Sequence, residues 1–272
     1  MTTDQNARSD SEAGDAGRAK QKQPARTPGQ QVGSFAKELL FVVVGAIVVS
    51  SLLRALVGQM FIIPSASMQN TLLEGDRVVV QKITDFHRGD VVVFEDPGNW
   101  LADEPVEEPG PFDRALEFIG VPTKSTPGHL IKRVIGLPGD RVVCCDSDGR
   151  LTVNGYPLDE TSYLYTSPDG TQVNPSDLRF EVVVPRDRLF VMGDHRDLSA
   201  DSRCHLADTS ATQSRGAVAF VPEDLVVGPA FAIAAPFDRA QRMHRPATFA
   251  GVPAAKEPAP EKATIEPAGV SC

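Results

Sequence analysis

Basic charge is the first thing this chain is short of. Its 27 Lys and Arg residues are outnumbered by 36 Asp and Glu, leaving a formal net charge of -9 over 272 residues. With no basic stripe to neutralise phosphates, nucleic acid is not an expected partner. Cysteine is scarce as well, at four residues: Cys144, Cys145, Cys204 and Cys272. His205 adjoins Cys204, but no CxxC or HxxxH spacing accompanies them, so a zinc site is not expected. Four cysteines suit an oxidising compartment, where a bridge from one of the adjacent pair to Cys204 is possible; sequence leaves the connectivity open. A second long hydrophobic run is also missing, because Val226 to Phe237 is short and broken by Gly228, Pro229 and Pro236.

The one long run is of membrane length. Leu39 to Leu53 carries no charge, and after Arg54 the apolar character resumes through Val57 and again over Met60 to Ile63. About 20 residues suffice to cross a bilayer, and a Leu/Val/Ile run without a polar face suits a spanning helix better than a half-buried soluble one. Arg18, Lys20, Lys22, Arg26 and Lys37 precede it, which places the N-terminus in the cytoplasm and the remainder outside. Ser65-Ala66-Ser67 has the small residues of a secretory cleavage site, yet the run exceeds an ordinary signal core, so an uncleaved anchor is expected.

Composition then divides the chain. Residues 1–34 are polar and poor in large apolar groups, as in a disordered cytoplasmic tail, and 35–60 form the transmembrane anchor. Residues 61–240 form the folded extracytoplasmic domain, and 241–272, alternating Pro, Ala, Glu and Lys, read as a second disordered tail. Short Val-rich runs predict strands at Asp76–Ile83, Asp90–Glu95, Leu130–Ile135, Arg141–Cys145, Arg150–Leu158, Arg179–Val184, Arg188–Met192 and Gly216–Ala219. Asn154-Gly155 marks a tight hairpin and Leu137-Pro138-Gly139-Asp140 a reversal. The expectation is a mainly β chain: one N-terminal transmembrane helix followed by an antiparallel, barrel-like catalytic domain. Residues 96–128 look inserted, with a short helix over Phe112–Ile119; Trp100 and Phe112 there admit either membrane contact or packing beneath a loop.

Two residues carry candidate chemistry. Ser67 lies among small residues after Pro64, where a tight turn exposes a hydroxyl and nearby N–H groups. Lys132 lies within Leu130-Ile131-Lys132-Arg133-Val134-Ile135, where strand alternation sends Lys132 and Arg133 to opposite faces and one of them inward. A serine hydroxyl needs a base, and a lysine serves as one only when burial keeps it uncharged. Lowering its pKa of roughly 10.4 by about three units means destabilising the ammonium by roughly 4 kcal/mol, within reach of desolvation.

Four blocks extend this pair: Ile63-Pro64-Ser65-Ala66-Ser67-Met68-Gln69-Asn70-Thr71-Leu72 with Gly75-Asp76; Arg88 to Phe94; Ile131 to Asp140; and Met192 to Arg203. In order and separation they cover most of residues 39–230, and the chain so resembles bacterial type I signal peptidase, the membrane-bound Ser/Lys endopeptidase that removes signal peptides from exported proteins. The resemblance implies Ser67 as nucleophile and Lys132 as general base, with the Ser67 N–H and the Ser65 hydroxyl as oxyanion hole. It implies Ser199 as the serine orienting the lysine, and Asp201 and Arg203 as a supporting salt-bridge cluster with Arg133, in a block that also holds Gly193 and Asp194. It implies cleavage after small residues at Ala-x-Ala-like sites, signal peptides and the bilayer as partners, a single-pass plasma-membrane location, and no metal or cofactor. Asn70 stands where the family often has Pro, and His195 and Leu198 replace usual Asn residues.

Rival readings stay in view. His195 beside Asp194 invites a Ser-His-Asp arrangement, but Ser199 lacks a turn like that at Ser67. Ser34-Phe35-Ala36-Lys37 has an S-x-x-K spacing, at the cytoplasmic edge of the run, where chance is the better account. A self-cleaving Ser/Lys protease of the repressor type would call for a DNA-binding module, and a non-catalytic anchored β-domain for an exposed Lys132.

Overall fold

The computed structural model describes residues 37–50, 58–98, 100, 101, 110, 128–209, 214–267 and 272. It divides into two units, at residues 1–46 and 47–272. Of the expected anchor, 35–60, the structure describes a helix over 37–50, whose apolar side chains, Phe41 at 79% among them, are exposed. Among the described residues no helix is long and apolar enough to cross a membrane. The tail at 1–34, Ser34 of the S-x-x-K match, and the helix expected over Phe112–Ile119 lie outside the described residues.

The larger unit is built from antiparallel β-structure. Its strands are β1 Gln59–Ile62, β2 Arg77–Val80, β3 Val91–Glu95, β4 His129–Gly136, β5 Arg141–Cys144, β6 Leu151–Val153 and β7 Tyr156–Pro157. They continue as β8 Phe180–Val183, β9 Arg188–Met192, β10 Val221–Pro222, β11 Val226–Ala235, β12 Gln241–Arg242 and β13 Thr264–Glu266. Eight of them form one sheet in the order β1-β2-β11-β3-β4-β9-β10 with β12 on β11, and five form a second, β13-β8-β5-β6-β7. The barrel expectation gives way to these two sheets: among the described residues β1 and β10 are end strands with no pairing between them.

Most of the predicted strands form, with four corrections. Gln59 and Met60, assigned to the anchor, pair with Val80 and Val79 as part of β1. Gly216–Ala219 is a 3-10 turn over Ala217–Ala219, entered through Gly216 at φ 68°, a left-handed conformation that breaks a strand. Val226–Ala235 is the longest strand, its Gly228 and Pro229 sitting at the register shift against β3 rather than ending it. Residues 241–267, expected to be disordered, carry β12, a 3-10 turn over Ala247–Gly251 and β13 paired with β8, because Phe249 and Ile265 pack on the domain core.

The central strands explain why alternation misled at Lys132. In β3, β4 and β9 nearly every residue is buried, so both faces of these strands are covered and Lys132 and Arg133 are both inside. Val92 and Val91 are their β3 partners. Beneath the Ser67 turn lies an apolar cluster of Phe61, Ile63, Met68, Leu72, Val78, Val80, Val91, Val93, Ile131 and Ile233. Trp100 is also interior: its ring meets Phe94 edge-on and its indole donates to the Val218 carbonyl at 2.9 Å. The connectivity that the sequence left open is Cys144–Cys145 and Cys204–Cys272, so no bridge joins the adjacent pair to Cys204. Cys144 sits at the end of β5 in the second sheet, while Cys204 lies in the 3-10 turn Ser202–His205 that the far end of the chain reaches.

Candidate active site

Ser67 stands on a single 3-10 turn, Ala66–Met68, that follows β1. Pro64 and extended Ser65 deliver the chain to this turn, and fully buried Met68 and Leu72 pin it to the core. The loop beyond is closed by Gly75 N–H donating to the Ile63 carbonyl and Ile63 N–H to the Asp76 carbonyl, both at 2.9 Å. Asn70 lies at φ 94°, a backbone angle closed to proline, and donates to the Leu164 carbonyl. The departure at this position therefore matches the local backbone.

Lys132 reaches this turn from β4. Its Nζ donates to Ser67 Oγ at 2.7 Å, with Ser67 5% and Lys132 4% exposed. Burial lowers the lysine pKa from 10.5 to about 8, with Arg203 acting in the same direction and the Asp201 and Asp194 carboxylates resisting. That leaves an amine able to accept a proton at moderately alkaline pH. Ser65 Oγ lies 3.3 Å from Ser67 Oγ.

The charged residues around this pair form two ion pairs where one cluster was expected. Arg133 is bidentate on Asp194, through Nε at 2.8 Å and Nη2 at 2.6 Å, and donates to the Gly89 carbonyl at 2.6 Å. Asp201 is paired instead with Arg203, both contacts at 2.9 Å, while its carboxylate accepts the Gly193 N–H at 2.9 Å. Burial pushes the Asp201 carboxyl up, but the Arg203 charge and hydrogen bonds outweigh it and its pKa is lowered. Both pairs keep a fixed charge close to Lys132.

Gly193 is the contact point between them. A Cβ there would meet Ser199 Oγ at 2.3 Å and the Ser67 carbonyl oxygen at 2.5 Å. Only glycine lets the end of β9 lie against both serines. Ser199 Oγ is buried and faces the Asp201 carboxylate, whose pKa it helps to lower, and it makes no hydrogen bond to Lys132. His195 donates its backbone N–H to the Ser67 carbonyl at 3.0 Å while its ring stacks on Tyr165. Desolvation lowers the pKa of that ring, opposed by the Asp197 charge and a backbone hydrogen bond with Ala66. Ser67 Oγ is bonded to Lys132, so no Ser-His-Asp relay is assembled.

Several contributors escaped the sequence reading. Thr71 donates to Asp194 and accepts from Arg133, and Tyr163 lies beneath the Arg133 guanidinium at 4.4 Å. Tyr163 donates to Glu160 at 2.6 Å; Glu160 pairs with buried Arg196, which donates to the Gly193 carbonyl at 2.9 Å. Thr71 and Arg196 stood inside the motif blocks, whereas nothing local marks Glu160 or Tyr163.

A family model described as signal peptidase, peptidase S26, matches residues 36–235. Signal peptidase I of Mycobacterium tuberculosis (strain ATCC 25618 / H37Rv) is 37% identical over 213 residues, covering 71% of this chain and 69% of that protein. Probable signal peptidase I-1 of Synechocystis sp. (strain PCC 6803) is 35% identical over 186 residues, covering 67% and 78% respectively. A crystal structure of a signal peptidase I from Enterococcus faecalis aligns over 54% of this chain and 97% of that one, with a TM-score of 0.32 and 22% identity.

Proposed function

This chain belongs to the signal peptidase family, peptidase S26, and is a serine endopeptidase that removes signal peptides; within that activity we propose that Ser67 is the nucleophile and Lys132 its general base. The 2.7 Å contact between Lys132 Nζ and Ser67 Oγ, both side chains being buried, carries this assignment. Lys132 takes the hydroxyl proton as Ser67 Oγ attacks the scissile carbonyl, and returns it to the leaving amine. Water, activated by the same amine, then releases the acyl group. The developing oxyanion is held by the Ser67 N–H and the Ser65 hydroxyl. Gly193 and Ser199 set the spacing of this turn, while Arg133–Asp194 and Asp201–Arg203 hold the two strands and the loop around it.

The substrate lies as an extended segment against strand edges, and shallow pockets admit only small side chains such as Ala at the cleavage-setting positions. The exposed apolar helix over 37–50, continuous in sequence with the uncharged run to Leu53, supports a single plasma-membrane anchor with the N-terminus cytoplasmic and residues from 58 onward extracytoplasmic. A tethered enzyme meets tethered preproteins at a fixed height above the bilayer. The test is cleavage of a preprotein with an Ala-x-Ala site by the detergent-solubilised full chain. Ser67→Ala and Lys132→Ala, each folded, are expected to abolish turnover; persistent activity in Lys132→Ala would assign the base elsewhere.

A further inference from the structure

Residues 241–267 and Cys272 lie beyond the family match at 36–235, yet they run along the residues that position Lys132. Arg245 is bidentate on Asp90, at 2.9 and 3.0 Å. Phe249 is buried against Gly89, where a Cβ would meet its ring at 2.5 Å, and it stacks on Tyr163 at 6.0 Å. Gly89 and Tyr163 are the groups that receive and cover the Arg133 guanidinium. Farther on, the Pro253 carbonyl accepts from Asn154, the Pro260 carbonyl accepts from the Arg186 N–H, and Thr264–Glu266 pairs with β8. The path closes at Cys272, bonded to Cys204 in the turn that begins just after Asp201 and contains Arg203.

One segment thus touches the supports of both ion pairs that flank Lys132. We propose that it is a positioning strap for the general base, and that the Cys204–Cys272 bond is its clasp, so that a dithiol reductant lowers peptidase activity. Two electrons and two protons from the reductant convert the disulfide to two thiols, and the reductant closes to its own disulfide. With the clasp open, the Ser202–His205 turn is no longer tied to the strap, water gains access to Lys132, and its protonated form is favoured. The charges facing Lys132, from Asp194 at the end of β9 and from Asp201 and Arg203 in the turn, remain present. The inference rests on Lys132 as the base.

The experiment is the pH profile of preprotein cleavage by the full chain, in a Cys144→Ser/Cys145→Ser background that leaves one reducible pair. Cys272→Ser, and the oxidised parent after dithiol reduction, should both show a half-activity point raised by about one pH unit. At pH 8 that rise lowers turnover about fivefold, while above about pH 10 the profiles converge, and KM is unchanged. Reductant should have no further effect on Cys272→Ser. An unmoved profile, or a loss equal at every pH, overturns the proposal; if Cys272→Ser does not fold, the reduced parent alone decides. Failure of the base assignment would appear separately, as activity retained in Lys132→Ala.

Discussion

Lys132 sets the pH behaviour of the site at the scale of one residue. As the proposed general base it is competent in its neutral form, so activity should rise through about pH 8, the value to which burial lowers its pKa, and level off about one unit above; kcat/KM measured from pH 6 to 10 checks this. The same shift makes a stability prediction whose sign follows from proton counting. Between about 8 and 10.5 the unfolded lysine is protonated and the folded one is not, so stability rises with pH across that window. Below it the buried ammonium costs about 3 kcal/mol, taking about 2.5 pKa units at 1.36 kcal/mol each. Lys132→Met, similar in bulk and uncharged, should therefore be more stable than the parent near pH 7, with the difference vanishing above about pH 10.5; urea midpoints at the two pH values give the comparison. Gly193→Ala should lower turnover by about a hundredfold or more, because its Cβ would displace Ser199 Oγ or the Ser67 carbonyl and so move the nucleophile. Ser67, Lys132 and Gly193 were legible because short motifs surround them. Glu160 and Tyr163 were not, since their contacts to Arg196 and Arg133 are made only once distant segments meet.

Among the elements, β4 has the largest structural role, since it carries Lys132 and Arg133 on two covered faces. Its hidden charge is compensated by Asp194 at the end of β9, the pair being 3% and 0% exposed. Asp194→Asn should keep the shape and strand an arginine cation inside, a change that costs about 3–5 kcal/mol. Removing the same negative charge relaxes a contact that raises the Lys132 pKa, so the activity profile should move to lower pH as stability falls. A urea midpoint and a half-activity pH that both fall would separate this from simple unfolding, which moves only the first. Strands whose apolar residues face a core were readable, as at Arg188–Met192, where expected and observed limits coincide. β11 was not, because Gly228 and Pro229 look like breakers in sequence; in the sheet they pair with Val93 and Val92 directly after the register shift that follows Val226. Residues 241–267 were misread for a related reason: Pro and Ala dominate their composition, and the order comes from a few anchors, Arg245, Phe249 and Ile265, that depend on the rest of the domain.

Over the whole molecule, charge and hydropathy make a claim that no single contact makes. Six basic residues precede the apolar run, and the remainder of a chain with net charge -9 follows it. The cation bias near the run, rather than total charge, orients a single span, so the proposed anchor puts the acidic domain outside. The proposed division rests on sequence alone, on a run of about 20 apolar residues that has few other uses, whereas the exchange of a barrel for two sheets depended on pairings between distant strands. The orientation predicts two fractionation results. After alkaline carbonate extraction of membranes the full chain should remain in the pellet, since a span is held by burial in hydrocarbon, not by surface charge. In intact spheroplasts an added protease should degrade the domain from residue 58 onward and leave a tag placed before Arg18 protected until the membrane is opened. Release by carbonate would argue for a peripheral attachment, and early loss of the N-terminal tag for the reverse orientation. Reversal would leave the buried Ser67–Lys132 contact intact but put it on the wrong side of the membrane from the cleavage sites of exported chains. Sidedness is therefore as necessary to the activity as the proposed dyad.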